Sequence, residues 1–242
     1  MNIAIVLSGG VGARMGLDIP KQYKLINGLP VISYCLKTLL DNEKTNAIVI
    51  GVADEWKDFV IENVSKLSPQ KPIFYAEAGE TRQYSIYNAL KIVHDKGFLD
   101  EDIVLIHDAA RPLVSQQMIN SCYDGCIDAD GIMPVIPVKD TIYFSENGTC
   151  IHSLLNRNHL WSGQAPEAFR FGKYLKAHDE MTREELLKIN GSTEIAFRSG
   201  LNCKMIAGDP MNFKITTPED LANFETIVLK NKKDESICPL CG

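Results

Sequence analysis

The residues with the most chemical promise lie near the start of the chain, in VLSGGVGARMGLDIPKQY (Val6 to Tyr23). Ser8, Gly9, Gly10 and Gly12 follow an apolar run, with Gly16 close behind. Arg14 and, past Pro20, Lys21 add positive charge. A glycine loop after a strand turns backbone N–H groups toward an anion, and such cations can reach the remaining oxygens. The chemistry would be triphosphate binding. Taken alone, the loop reads equally as a structural turn with solvated basic residues. Known loop patterns narrow the choice. The dinucleotide pattern G-x-G-x-x-G, started from Gly10 and Gly12, fails at Met15. A nucleotide P-loop fails because Leu17, not Lys, follows Gly16.

The elements that must position this loop alternate. Residues 3–7, 46–53, 72–77, 102–112, 131–138 and 202–208 read as strands. Residues 30–42, 54–67, 81–97, 115–129, 172–181 and 192–200 read as helices. Within 212–230, Thr217 is suited to cap a helix, Pro218 to its first position, and Glu219 and Asp220 to its positive end. Continuous apolar strands alternating with helices predict one α/β domain with a mostly parallel sheet covered on both faces. Ligands bind outside the carboxyl ends of such strands. The glycine loop and HDAARP (107–112) therefore face one crevice.

Asn147-Gly148 is a strong hairpin signal in a place where a strand–helix unit is expected. It predicts a protruding β-hairpin arm at about 139–170, of the kind that grips a partner subunit. The domain is expected to span 1–230, with 231–242 a flexible tail.

Bulk properties set limits. The 242 residues suffice for a full core, and the formal net charge of −6 argues against nucleic-acid binding through a broad basic face. No apolar run approaches membrane-spanning length. The 7 cysteines have no framework spacing, which implies reduced thiols and a cytoplasmic protein. Cys238 and Cys241 form a lone CxxC, read as part of a frayed tail rather than a zinc site.

With the glycine loop and PKQ, GETRQYSI, HDAARP, NRNHLW and NFKITTPEDL in that order, the chain resembles the cytidylyltransferases that make CDP-activated sugar alcohols. Two close branches act on 2-C-methyl-D-erythritol 4-phosphate and on ribitol 5-phosphate. The resemblance runs from Ile3 to about Leu229 and implies a Rossmann-like sheet, Mg²⁺ and a homodimer. It implies that Ser8, Gly9, Gly10 and Gly12 wrap the CTP phosphates. Arg14, Lys21 and Lys214 would be the catalytic cations. Gly79, Glu80, Arg82 and Ser85 would border cytosine and ribose. Asp108 would lie near Mg²⁺ and the polyol, with Arg111 holding phosphate or polyol groups. Arg157, on the arm, would reach into the neighbouring subunit's site.

Each residue has a structural alternative. Asp108 could cap a loop, Arg111 could form a surface ion pair, and Lys214, between Phe213 and Ile215, could point to solvent from a strand. Ser85 could be an ordinary helix residue, and His107 reads as a strand-end residue.

Two segments depart from the family pattern, both on the acceptor side. Gln164-Ala165-Pro166-Glu167 stands where Gln/Leu-Thr-Pro-Gln is usual, removing a hydroxyl and adding a carboxylate. Ser192-Thr193-Glu194 stands where Thr-Asp-Glu or Ser-Asp-Ala is usual. HDAARP and TPEDLA lean to methylerythritol phosphate, GQAP and NRNHL to ribitol phosphate. The reading places methylerythritol phosphate narrowly first. A transferase for another nucleotide, or a nucleotide sensor with a degraded site, are the rival readings.

Overall fold

A computed structural model of the chain describes residues 1–10 and 19–237, with side chains described as far as 230. Arg14, Gly12, Gly16 and the Cys238/Cys241 pair lie outside the described residues. In chain order the elements begin with β1 (Asn2–Leu7), β2 (Leu25–Ile26), β3 (Leu29–Pro30), α1 (Val31–Asp41), β4 (Ala47–Val52), α2 (Asp54–Ser65) and β5 (Ile73–Glu77). Next come α3 (Arg82–Asp95), β6 (Ile103–Asp108), α4 (Gln116–Gly125), β7 (Gly131–Pro137), β8 (Ile142–Phe144), β9 (Ser153–Leu155), β10 (Trp161–Gly163) and β11 (Glu167–Arg170). The chain then forms α5 (Phe171–Asp179), α6 (Arg183–Lys188), α7 (Ser192–Arg198), β12 (Cys203–Ala207) and α8 (Pro218–Ile237).

The main sheet has the order β10-β7-β11-β6-β1-β4-β5, with β12 on the other edge of β7. Strands β5, β4, β1 and β6 run parallel, and β12 runs parallel to β7. Only β10 and β11 run against their neighbours in this sheet. The mostly parallel expectation holds.

Alternation along the strands divides the core between the two faces of the sheet. Ala4, Val6, Ile48 and Ile50 pack with the buried faces of α1, α2 and α4. Ile3, Ile5, Ala47 and Val49 pack with α3, α5, α6 and α7 on the other side. Each valine or isoleucine among them contributes about 1.5–3 kcal/mol when fully buried, so both helical layers are held firmly to the sheet.

The arm differs from its expected bounds. β8 and β9 do form a separate antiparallel pair, with Gly148 at φ 73° in the intervening segment. Residues 161–170 do not belong with them. β10 joins β7, and β11 fills the gap between β6 and β7. The reason is burial: Ala165, Ala168 and Phe169 are apolar side chains shut inside the protein, and they draw the return segment into the sheet. At the other end, α8 continues to Ile237, past the boundary expected at 230.

Candidate active site

The parallel register brings the candidate residues to one edge. Leu7 is aligned with Gly51 on one side and with Asp108 on the other, and Val52 is aligned with Glu77. Ser8, Ala109 and Ala78 thus leave the sheet together. The chain packs tightly there. A Cβ on Gly9 would come within 2.3 Å of the Ala78 Cβ, and one on Gly79 within 2.4 Å of the Tyr84 Cβ. These close approaches explain glycine at both positions. A Cβ on Gly10 would meet nothing within 4 Å among the described residues.

The start of the glycine loop is held from below. Ser8 donates its hydroxyl to the Gly51 carbonyl at 2.8 Å. Gln22 Nε2 donates to the carbonyls of Ser8 (2.6 Å) and Gly10 (2.7 Å). Tyr23 donates its hydroxyl to the Ser8 carbonyl at 2.8 Å. With those carbonyls tied down, Ser8 and Gly10 are held by the short turn Lys21–Tyr23, which also carries Lys21. Gln22 and Tyr23 went unassigned in the sequence reading, although PKQ was one of its motifs. A buried glutamine and tyrosine look like core until their partners are known.

The second component is a charged cluster at the carboxyl end of β6. Arg82 Nε donates to Asp108 Oδ1 at 3.1 Å. Lys214 Nζ lies 2.9 Å from Asp108 Oδ2, and Arg111 Nε 3.8 Å from the same oxygen. Arg111 Nη1 also donates to the Asn212 carbonyl at 2.7 Å, tying the loop after β6 to the segment before α8. Burial would raise the Asp108 carboxyl, but Arg82, then Lys214 and Arg111, hold it well below the usual carboxylate range. Arg82 is pulled down by burial and pushed up by Asp108 and Glu167, with the net direction upward.

Lys214 is not on a strand. It lies in an irregular stretch anchored by buried Ile215, whose N–H donates to the Ala110 carbonyl at 2.8 Å. That anchor turns Lys214 back over Asp108, with 36% of its side chain still exposed to receive a ligand. The α8 cap is as expected, with Thr217 Oγ1 accepting from the Asp220 N–H at 3.2 Å.

The cluster lines a cavity of about 650 Å³. Arg82, Asp108, Arg111 and Lys214 line it, together with Glu167 and Thr193 among others. Ala165 also lines it, so the missing hydroxyl and the added carboxylate both face the cavity. Thr193 donates to Glu167 Oε1 at 2.8 Å.

Other candidates stand elsewhere. Glu80 pairs on the surface with Arg183 at 2.8 Å. Ser85 accepts from the Gly79 N–H at 3.0 Å and donates to the Thr81 carbonyl at 3.0 Å, fixing the turn into α3. Arg82, grouped with the nucleotide residues in the sequence reading, reaches Asp108. Arg157 donates to the Lys139 carbonyl at 2.7 Å and lines a separate cavity with Thr141 and Asn158, away from the Asp108 cluster of its own chain.

Both Asp108 oxygens face cations, and among the described residues no group of three or more His, Cys, Asp or Glu side chains is arranged to hold a metal, so a magnesium ion at Asp108 would need the nucleotide phosphates as further ligands.

His107, next to Asp108, is buried, with its Nε2 2.9 Å from the Arg111 carbonyl oxygen. Burial pushes its pKa down to about 4, and it does the same to His178. Both are neutral in the folded protein at neutral pH. Their ordinary value is about 6.5, so the unfolded chain binds more protons between pH 6.5 and 4. The stability they support is complete above 6.5 and is lost as pH falls through that window. Unfolding free energy, measured by denaturant titration, should fall by up to about 1.4 kcal/mol per pH unit for each histidine. A flat profile across that window would refute the assignment.

Comparison with known proteins identifies the family. The sequence pattern of the 2-C-methyl-D-erythritol 4-phosphate cytidylyltransferase family matches residues 2–230. The chain belongs to that family. A 2-C-methyl-D-erythritol 4-phosphate cytidylyltransferase from Caldanaerobacter subterraneus subsp. tengcongensis is 35% identical over 232 residues, covering 95% of this chain and 100% of the relative. A ribitol-5-phosphate cytidylyltransferase from Lacticaseibacillus paracasei is 30% identical, covering 93% of this chain and 97% of the relative. The crystal structure of the Francisella tularensis 2-C-methyl-D-erythritol 4-phosphate cytidylyltransferase superposes with a TM-score of 0.76 at 29% identity, covering 93% and 99% of the two chains. Membership in this cytidylyltransferase family makes the chain a nucleotidyltransferase and accounts for a glycine loop that is neither a dinucleotide loop nor a P-loop.

Proposed function

We propose that the chain transfers CMP from CTP to an alditol phosphate, giving a CDP-alditol and pyrophosphate, with 2-C-methyl-D-erythritol 4-phosphate as acceptor. The observation that carries this reading is the convergence of Lys214, Arg111 and Arg82 on Asp108 in a cavity at the sheet edge where the glycine loop emerges. The cavity supplies cations for a phosphate and a carboxylate for hydroxyls. The loop supplies N–H groups for a triphosphate.

A phosphate oxygen of the acceptor forms a bond to the α-phosphorus of CTP, and the bond to the bridging oxygen of the leaving pyrophosphate breaks. The second pKa of a phosphate monoester is about 6, so the nucleophile is already dianionic at neutral pH. The site therefore needs no general base, in keeping with a buried, neutral His107. Its task is to bring two anions together and to neutralise charge as it develops. In this reading Lys214 and Arg111 hold the acceptor phosphate. Lys21, with Arg14, faces the α-phosphate and the pyrophosphate. Asp108 keeps the cations of the acceptor cavity in place. Magnesium enters as part of the substrate, on the triphosphate.

The β8–β9 pair supports a homodimer. Tyr143, Ile151 and Leu154 are more than half exposed there, an apolar surface that a second copy would cover. Arg157 would then serve the partner's cavity. Among the described residues, Cys35, Cys122, Cys126, Cys150 and Cys203 are free, which supports a reducing, cytoplasmic setting. No described helix is long and apolar enough to cross a membrane.

Ribitol 5-phosphate is the second acceptor, favoured by the Lacticaseibacillus relative and by the changed cavity wall at Ala165 and Glu167. Offering both acceptors together at equal concentration with limiting CTP decides between them. The CDP-methylerythritol product should predominate by mass spectrometry. Predominance of CDP-ribitol would transfer the assignment to the other branch.

A further inference from the structure

We propose that Glu167 is the positioning residue for the acceptor end of the site, holding the Arg82 guanidinium and the Thr193 hydroxyl in fixed roles. This rests on reading the 650 Å³ cavity as the acceptor site. Glu167 opens β11 and is aligned with Ile106 of β6, two residues before Asp108 on that strand. It is buried, and its two oxygens have separate duties. Oε1 accepts the Thr193 hydroxyl at 2.8 Å, and Oε2 lies 3.7 Å from Arg82 Nη2.

Arg82 is thereby gripped along its whole fork. Nε meets Asp108, Nη1 donates to Ser192 Oγ, and Nη2 faces Glu167. A guanidinium held on three sides in one plane cannot swing to follow a ligand. Its charge is also shared between two carboxylates. An incoming phosphate is therefore directed to Lys214 and Arg111, which among the described residues form ion pairs within the cluster with Asp108 alone.

Thr193 is fixed in a second sense. A carboxylate can only accept, so the Thr193 proton is committed to Glu167. What Thr193 offers the cavity is its oxygen lone pairs. Those suit a donor, such as a hydroxyl of the alditol chain, and not a phosphate oxygen. Glu167 thus orients the acceptor: phosphate toward Lys214, hydroxyl chain toward Thr193.

The test moves the carboxylate across its own hydrogen bond. Glu167→Gln removes the charge, and Glu167→Gln with Thr193→Asp restores it on the opposite side of the same contact. Glu167→Gln should lower kcat/KM for the alditol phosphate about tenfold, as loss of a charged hydrogen-bond partner does. KM for CTP should stay within about twofold. The double variant should recover most of the loss, and Glu167→Gln alone should displace the Arg82 guanidinium in a crystal structure. An unchanged kcat/KM, a double variant no better than the single one, or an equal rise in KM for CTP would overturn the proposal. If the wild-type protein turned over no alditol phosphate, the proposed function would fall, while an Arg82 that stays in place in Glu167→Gln would refute the positioning role by itself.

Discussion

Replacing Lys214 with alanine should lower turnover by about 10²–10³-fold, the usual cost of one preorganised charge-stabilising donor. The protein should stay folded, because Lys214 lies on an irregular segment whose anchor is the buried Ile215 and not the lysine. Loss of the ammonium removes the group 2.9 Å from Asp108 Oδ2 and, in the proposed mechanism, the principal contact to the acceptor phosphate. Lys21→Ala should show a loss of similar size through a different parameter, since Lys21 stands at the glycine loop. KM for CTP and the pyrophosphate-release step should suffer there, and KM for the acceptor should suffer with Lys214→Ala. Steady-state kinetics with each substrate varied in turn measures both. Near-normal turnover in either folded variant removes that lysine from the mechanism.

Asp108→Asn should cost both stability and activity. Arg82, Lys214 and Arg111 converge on the Asp108 carboxylate and would be left facing one another. Breaking a buried pair by removing one partner costs about 3–5 kcal/mol. The lower end applies here, because Lys214 keeps a third of its side chain in solvent and part of its charge is screened. Denaturant titration at pH 7 should therefore show a loss of about 3 kcal/mol. The pH dependence follows from the depressed Asp108 value. The contribution is complete above the unfolded carboxyl value of about 3.9 and is lost as pH falls below it. The difference between wild type and variant should thus be constant from pH 7 to 5 and shrink only under strongly acid conditions. A difference already vanishing at pH 5 would show that Asp108 is not held by its cations.

Much of this was legible before any coordinates. The strand–helix alternation and the two-faced burial of β1 and β4 follow from continuous apolar runs, and the Thr217-Pro218 start of α8 from its capping residues. α6 was missed although its signal was present, since Thr182 and Glu185 form a reciprocal capping box. The β10–β11 return was missed for a physical reason. Short strands at the heart of a sheet owe their conformation to the neighbours that pair with them, and Glu167–Arg170 has such neighbours on both sides.

The site divided in the same way. Asp108, Arg111 and Lys214 could be named from their motifs and do come together. Arg82 was grouped with the nucleotide residues of its own motif, and only the fold shows its side chain crossing from the start of α3 to the end of β6. Glu80 turned out to lie in a surface pair with Arg183, a partner distant in sequence. Glu167 and Thr193 stood out as departures from the family pattern, but only the fold places them 2.8 Å apart.

Cytidylyl transfer to an alditol phosphate expels pyrophosphate, and its release can be followed as the reaction runs. The purified protein with Mg²⁺ would be given CTP, UTP, GTP or ATP in turn, with and without methylerythritol 4-phosphate. Release should be rapid with CTP and dependent on the acceptor, and small with the other nucleotides. Release independent of acceptor, or equal across the nucleotides, would contradict cytidylyl transfer to an alditol phosphate, as would failure of CTP to bind at all.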